Sequence, residues 1–337
     1  MKLAIHNGIS WNKKWIDYCQ KNNIEHIVLN CYDSDIINQL KINEVTHLMW
    51  HFHHSKAKDI LMARNVLYSA KNLGIKTFPD FETCWHFDDK ISQKYLLESV
   101  DAPLVPSYAF FDKKEAYIWL ENEAKFPIVA KLRRGAGSYN VILLKDLGAA
   151  KKYVNKMFST GIHPTPGYIA DAKNKLKVAG DLKGIKDRLK KAPKFFKMVM
   201  NGKKHFPVEK GYVYFQDFIP NNKVDIRIAI IDNHLWGFKR LVRENDFRAS
   251  GSGKIEYSLS DVPTSLYQKL FNLTRKLKTA SIAYDLVKDN EEYLIVEISY
   301  GFVGEIIYNA PGYWNENLEF IESHINPEDL IIQKFIN

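Results

Sequence analysis

With 337 residues, 46% of them hydrophobic and 13% aromatic, the chain is long enough for two or three domains and too apolar to be disordered. Its formal net charge of +9 sits in residues 171–210, which carry twelve lysines and one arginine against four acids, so the rest of the chain is balanced. It has no run of about 18 uncharged apolar residues and no apolar signal core in MKLAIHNGISWNKKW. Cys19, Cys31 and Cys84 lack C-x-x-C spacing, so the expectation is a reduced, cytoplasmic protein without a disulfide framework or zinc site.

In the first ninety residues short apolar strands (2–6, 25–30, 46–52 and 75–79) alternate with helical patterns (10–22, 34–41 and 55–73), which predicts a parallel sheet covered by helices. No G-x-G-x-x-G follows the first strand, so a nicotinamide or flavin site gains no support. A helix opens at Asp89 and closes at Asp101-Ala102-Pro103. A strand (107–111), a helix (113–124) and then the stretch KLRRGAGSYNV (131–141) between two apolar runs follow. After a helix near 146–159 comes the basic segment, broken up by Gly161, Pro164, Pro166, Gly180, Gly184, Pro193 and Gly202. From 211 onward the pattern is strand-rich (212–219, 224–231, 234–242, 254–259), then a helix (263–279), then two further strands (281–287 and 292–298).

The stretch KLRRGAGSYNV combines Lys131, Arg133 and Arg134 with glycines. Flexible backbone beside fixed cations suits phosphate, and it equally suits an exposed basic hairpin. It is not a Walker loop, because its lysine precedes the glycines. Gly251-Ser252-Gly253-Lys254 lacks both the leading glycine and the following Ser/Thr.

In the last two strands Asp285 and Glu297 stand on apolar backgrounds. If the strands pair antiparallel, the two carboxylates converge, with Ser299 on the face of Glu297. Two carboxylates together repel unless a hard cation such as Mg²⁺ relieves them. Asp225 and Arg227 alternate on an earlier strand, with Lys239, Arg240, Arg243 and Arg248 after it; cations facing a metal pair suit phosphoryl transfer. The alternative in both cases is a half-exposed sheet face with surface ion pairs, each worth about 0–1 kcal/mol. Trp50-His51-Phe52-His53-His54 ends a parallel strand, where open α/β sheets bind ligands. Alternation splits these histidines between two faces, which favours substrate contact over a metal site. FETCWHF (81–87) reads as packing between domains.

The order of these parts over 89–299 resembles the ATP-grasp superfamily, and within it the ribosomal-protein glutamate ligase branch of carboxylate–amine ligases. Asp89-Lys90, Lys131-Leu132-Arg133-Arg134-Gly135, Gln216-Asp217-Phe218-Ile219, Asp225-Ile226-Arg227, Asp246-Phe247-Arg248-Ala249 and Asp285 with Glu297-Ile298 twelve residues later stand in the family's order. The fold class implied is α/β with an α+β grasp: a parallel pre-grasp domain at 1–88 and a two-lobed ATP-grasp domain at 89–337. Its lid would be roughly 104–215, with 171–210 inserted, and its metal-binding lobe roughly 216–310. The resemblance implies Lys90 and Lys131 on ATP phosphates, and Gly135, Gly137 and Ser138 in a loop closing over them. Gln216, Asp217 and Phe218 would line the adenine pocket, Asp225 would face the ribose or neighbouring polar groups, and Arg240 and Arg248 would meet the γ-phosphate and an acyl phosphate. Asp285, Glu297 and Ser299 would hold Mg²⁺ (or Mn²⁺). Three departures stand out: Ser299 replaces the family's asparagine, Tyr300-Gly301-Phe302 replaces a small-Pro-Gly turn, and the loop has lost its later glycines.

The activity implied joins a small-molecule, peptide or saccharide carboxylate to an amine at the expense of ATP. The alternatives are an ATP-grasp kinase acting on a hydroxyl and a non-catalytic ATP-binding protein. For 171–210 the readings are a solvated insertion, or recruitment of an acidic substrate or an anionic membrane surface around Phe195-Phe196. Nucleic acid is disfavoured, since no recognition fold accompanies the charge.

Overall fold

The computed structural model describes residues 1–135, 138, 140–164, 207–243, 246–251 and 253–337. Gly137 and nearly all of the basic segment lie outside the described residues. The chain divides into two compact units. One comprises Met1–Phe87, Tyr95–Leu104 and Asn221–Asn337, the other Asp88–Lys94 and Val105–Pro220.

The first unit begins with β1 (Leu3–His6), α1 (Trp11–Lys21), β2 (His26–Leu29), α2 (Ile36–Ile42), β3 (His47–Met49), α3 (Ala57–Asn72), β4 (Lys76–Phe78) and a short α4 (Phe81–Cys84). The four strands are parallel, in the order β2-β1-β3-β4. Alternation along them splits the core. Leu3, Ile5 and Met49 pack with Trp11, Trp15 and Cys19 of α1, while Ala4 and Leu48 pack with helices α2 and α3. Both sheet faces are therefore covered, as parallel strands require. The chain leaves β1 for β2 on one side and crosses back to β3 on the other, so the winding reverses between β1 and β3. Asp80 caps α4 by accepting from Thr83 N–H at 2.8 Å, and Thr83 Oγ1 accepts from Ala280 N–H at 2.9 Å.

Helix α5 (Lys90–Ser99) gives its first residues to the second unit and the remainder to the first. The second unit continues with β5 (Ser107–Phe110), α6 (Lys113–Asn122), β6 (Ile128–Lys131), β7 (Val141–Leu144), α7 (Leu147–Met157) and β8 (Val213–Asp217). Its strands pair antiparallel in the order β5-β8-β6-β7. Trp119 of α6 stacks on Phe215 at 5.6 Å over a core that includes Tyr153, Val154 and Met157. Asp112 and Asp146 cap α6 and α7, satisfying first-turn N–H groups that would otherwise lack partners.

The first unit resumes with β9 (Val224–Ile231), β10 (His234–Leu241), β11 (Ile255–Glu256), α8 (Thr264–Leu277), β12 (Ser281–Asp289) and β13 (Glu292–Ser299). It ends with α9 (Gly304–Tyr308), β14 (Tyr313–Trp314), β15 (Phe320–Ile321) and α10 (Pro327–Ile336). These form an antiparallel sheet ordered β13-β12-β9-β10-β14-β15, with β11 on β10. On one face Ile226, Ile228 and Ile230 meet Leu266, Leu270 and Phe271 of α8. Each such buried side chain contributes about 1.5–3 kcal/mol. On the other face Ala229 and Ile231 join the core of α1 and α10, and the same alternation makes Arg227 and Asp225 the next two residues on that face.

Candidate active site

The large sheet of the first unit brings together five charged side chains from four strands. Strands β12 and β13 pair antiparallel with Asp285 directly opposite Glu297, and β12 also pairs with β9, setting Asp285 opposite Arg227. A bulge between Asp285 and Leu286 marks this point of the ladder. One register step away, Asp225 of β9 stands opposite Arg240 of β10. Arg227 donates to both oxygens of Asp285, from Nε to Oδ1 at 2.7 Å and from Nη2 to Oδ2 at 2.8 Å. Arg240 is bidentate to Asp225 at 2.6 and 2.7 Å, and its Nη2 also reaches Asp285 Oδ2 at 2.9 Å.

Both Asp285 and Arg240 are only 8% exposed, so these are charge-assisted bonds in a desolvated place. Burial alone would raise the Asp285 carboxyl. The charges and hydrogen bonds of Arg227 and Arg240 outweigh it and hold Asp285 well below the usual carboxylate range. Burial pushes Asp225 up instead, against the opposing pull of Arg240. Half-buried Glu297 lies beside Asp285, and Ser299 donates its hydroxyl to Gly301 O at 2.8 Å while accepting from Gly301 N–H at 3.2 Å. Arg248 lies on the loop after β10, held by Asp246 through Nε and Nη2 at 2.6–3.0 Å.

The second unit gathers Lys90, Lys131, Gly135, Ser138, Gln216, Asp217 and Phe218 around β6 and β8. Lys131, buried at the end of β6, donates to Gln216 Oε1 at 2.6 Å. Gln216 Nε2 donates to Ser107 Oγ at 3.0 Å, and Ser107 donates to Val105 O at 2.7 Å. Lys90 is buried as well. Its Nζ donates to Gly135 O at 2.9 Å, and its backbone N–H to Arg133 O at 3.0 Å. Gly135 adopts φ +116°, where a Cβ would also collide with Asn140 Nδ2, so the position needs glycine. Its N–H donates to Asp88 Oδ1 at 2.8 Å. Ser138 also adopts a left-handed φ, of 62°. Asp217 and Phe218 are half-buried, and burial raises the Asp217 carboxyl. Helix start, strand end and turn are thus tied together by the two lysines.

The sequence matches no described family profile and no curated protein. Solved structures do match it. N5-carboxyaminoimidazole ribonucleotide synthetase from Thermotoga maritima aligns over 100% of this chain and 76% of its own, at 13% identity and a TM-score of 0.60. D-alanine–D-alanine ligase from Bacillus anthracis, complexed with ATP, aligns over 100% and 99% at 12% identity and TM-score 0.53. A RimK-domain ATP-grasp protein from Sphaerobacter thermophilus aligns over 88% and 90% at 13% identity and TM-score 0.50. The chain has the ATP-grasp fold. At these identities the likeness speaks for the fold alone, so any function for this ATP-grasp chain has to be argued from its own side chains.

Arg227 is the member of the cluster to which the sequence assigns no role beyond a place among the cations. Its signal is present in Asp225-Ile226-Arg227, whose alternation puts both charges on one face, but its partner Asp285 lies 58 residues away. Among the described residues no three His, Cys, Asp or Glu side chains are grouped to hold a metal ion, which applies to His51, His53 and His54 as well. Also among the described residues, no helix is long and apolar enough to cross a membrane.

Proposed function

We propose that this chain is an ATP- and Mg²⁺-dependent carboxylate–amine ligase working through an acyl phosphate. The observation that carries the reading is the row Glu297–Asp285–Arg227, joined by Arg240 and buried at Asp285 and Arg240, on one face of an ATP-grasp sheet: two carboxylates beside two guanidiniums. The donor set fits one Mg²⁺, since Asp285 and Glu297 offer hard oxygens from adjacent strands. Asp285 would offer such an ion an oxygen in exchange for a guanidinium contact, and Ser299 would join only by leaving Gly301. When bound, the metal supplies charge neutralisation along the triphosphate.

The chain's own residues do the rest. Lys90 and Lys131 hold phosphate oxygens, with the Gly135 backbone able to approach closely. Gln216, Asp217 and Phe218 receive the base, and Asp225 fixes Arg240. Arg240 and Arg248 stabilise charge on the transferred phosphoryl group and on the acyl phosphate. A carboxylate oxygen attacks the γ-phosphorus and ADP leaves. The amine nitrogen then attacks the acyl carbon, phosphate departs with the C–O bond electrons, and the nitrogen loses its proton. The amide formed belongs to a small molecule, peptide or saccharide.

The test is ADP release with Mg·ATP and pooled amino acids, sugar acids and amines, hydroxylamine being added as a trap. Hydroxamate is expected from the native protein and not from Glu297→Gln. A phosphorylated product without hydroxamate overturns the ligase in favour of a kinase. Retained ATP binding without turnover marks a binding protein.

A further inference from the structure

At the carboxyl end of the parallel sheet the winding reverses between β1 and β3, and open α/β sheets hold ligands in the crevice at such a point. Strand β1 ends there in His6, and Trp50 directly follows the end of β3. His6 is 1% exposed and Trp50 0%. His6 Nδ1 accepts from Cys31 N–H at 3.1 Å, so the ring proton sits on Nε2. Neither His6 Nε2 nor Trp50 Nε1 has a hydrogen-bond partner among the described residues. Buried N–H groups of this kind cost about 1–3 kcal/mol when unsatisfied. The rings lie 4.6 Å apart, and His6 Cδ2, bonded to Nε2, is the edge turned to Gly8 in the loop after β1. Two orphaned donors therefore sit buried at this end of the sheet, that of His6 on the side of the Gly8 loop.

The surroundings favour negative charge. Both α1 and α3 begin at this end of the sheet, and neither has a side-chain cap among the described residues; α1 also has no acid in its first turn, so its first N–H groups and dipole face this end uncompensated, whereas α3 carries Asp59 there. Lys56 is close enough to depress His6, whose burial already lowers it to about 4, and also the buried His51. Asp59 accepts from Tyr32 O–H and from His53 N–H and keeps its charge, which with that of Asp33 acts on the neighbouring Cys31. Gly301, directly beyond the Glu297–Ser299 end of β13, abuts His51, since a Cβ there would lie 3.3 Å from His51 Nε2.

We propose that this end of the sheet binds the carboxylate of an acidic substrate, with His6 Nε2–H and Trp50 Nε1–H as its donors and the uncapped start of α1 supporting its charge. Two buried N–H donors can be satisfied only by an acceptor, and Lys56 beside them adds positive charge, so the pair selects an acid's oxygen rather than an ammonium. The further identification of that acid as a substrate of the ligase rests on the reading above; the anion site does not.

The indole N–H of Trp50 gives a direct readout in a ¹H–¹⁵N spectrum of the full chain, assigned by its disappearance in Trp50→Phe. The probes are succinate and D-glucuronate, with succinamide and D-glucuronamide as neutral counterparts and β-alanine as the ammonium-bearing one. The carboxylates are expected to shift the Trp50 signal downfield and saturably. Their binding should weaken about tenfold or more in His6→Asn, which retains an acceptor for Cys31 N–H. A Trp50 signal indifferent to both acids, or moved equally by the amides, means that the two donors hold only water and overturns the proposal. Mg·ATP is titrated in parallel. If it binds while the acids leave Trp50 untouched, the anion site alone falls; if it does not bind, the ligase reading falls on its own account.

Discussion

In the small sheet of the second unit, Lys131 donates to the neutral oxygen of Gln216, and the chain of bonds passes on to Ser107 and the Val105 carbonyl. In the large sheet of the first unit, the bonds among Arg227, Asp285, Arg240 and Asp225 each join a full positive to a full negative charge. Both clusters are buried, yet they respond to loss of a member in opposite ways. A cation replaced in the neutral chain leaves one amide oxygen short of a bond. A cation removed from the paired set leaves carboxylates facing each other in a low-dielectric place. Burial alone therefore does not say which polar residues hold the fold; the charge of the partner does.

Arg240→Met tests that contrast most strongly. Arg240 serves Asp225 and Asp285 at once, so the variant is expected to lose about 3–5 kcal/mol of stability, read as a fall in the urea midpoint. A loss under about 1 kcal/mol would mean that the cluster is solvated like a surface pair.

The next largest effect is a pH dependence. Asp285 is held below its ordinary value, so the unfolded chain binds its proton more readily than the folded one. Its contribution is fully present above the unfolded pKa of about 3.9 and drains away as pH falls from there toward the folded value. Asp225, shifted up by burial, works in the opposite sense. Urea midpoints followed downward from about pH 5 should therefore decline less steeply in Asp285→Asn than in the native protein. Parallel declines would show that Asp285 does not carry the ionic link.

What the sequence discloses and what it withholds follow the same division. Alternation and a turn predict that 281–287 and 292–298 pair antiparallel and bring Asp285 and Glu297 together, although their direct opposition also needs the tighter turn after Asp289 and the bulge between Asp285 and Leu286. That is local information. The partner of Asp285 on its other side is Arg227, and it depends on β12 lying beside β9, a pairing fixed by how α8 packs rather than by any spacing. The short β14 and β15 and helix α10, after the last sequence-predicted strand, are also unannounced. Two-residue strands have no period to detect, although Asn326 and Pro327 do sign the start of α10. In Trp50-His51-Phe52-His53-His54 the alternation could not say which ring faces inward. The structure buries Trp50, His51 and Phe52 together, because the chain has left the strand after Met49 and no longer alternates.

Lys131→Met gives the smallest change in stability and the sharpest separation of the two clusters. Methionine fills nearly the same volume, and removing the ammonium relieves the cost of burying it, while Gln216 Oε1 loses a donor. These terms oppose each other, so the urea midpoint should correspond to a change within about 1.5 kcal/mol of the native protein. Nucleotide binding should respond quite differently. If Lys131 meets phosphate oxygens, its loss weakens ATP about tenfold or more, a charge-assisted bond being worth about 1.5–3 kcal/mol. Equilibrium binding of ATP, measured on the same preparation as the urea titration, checks both halves. A variant that is destabilised yet binds ATP normally would move Lys131 from the nucleotide site to the scaffold. One that keeps its fold and loses ATP would show that a buried cation bonded to a neutral partner is held in place for an anion still to come.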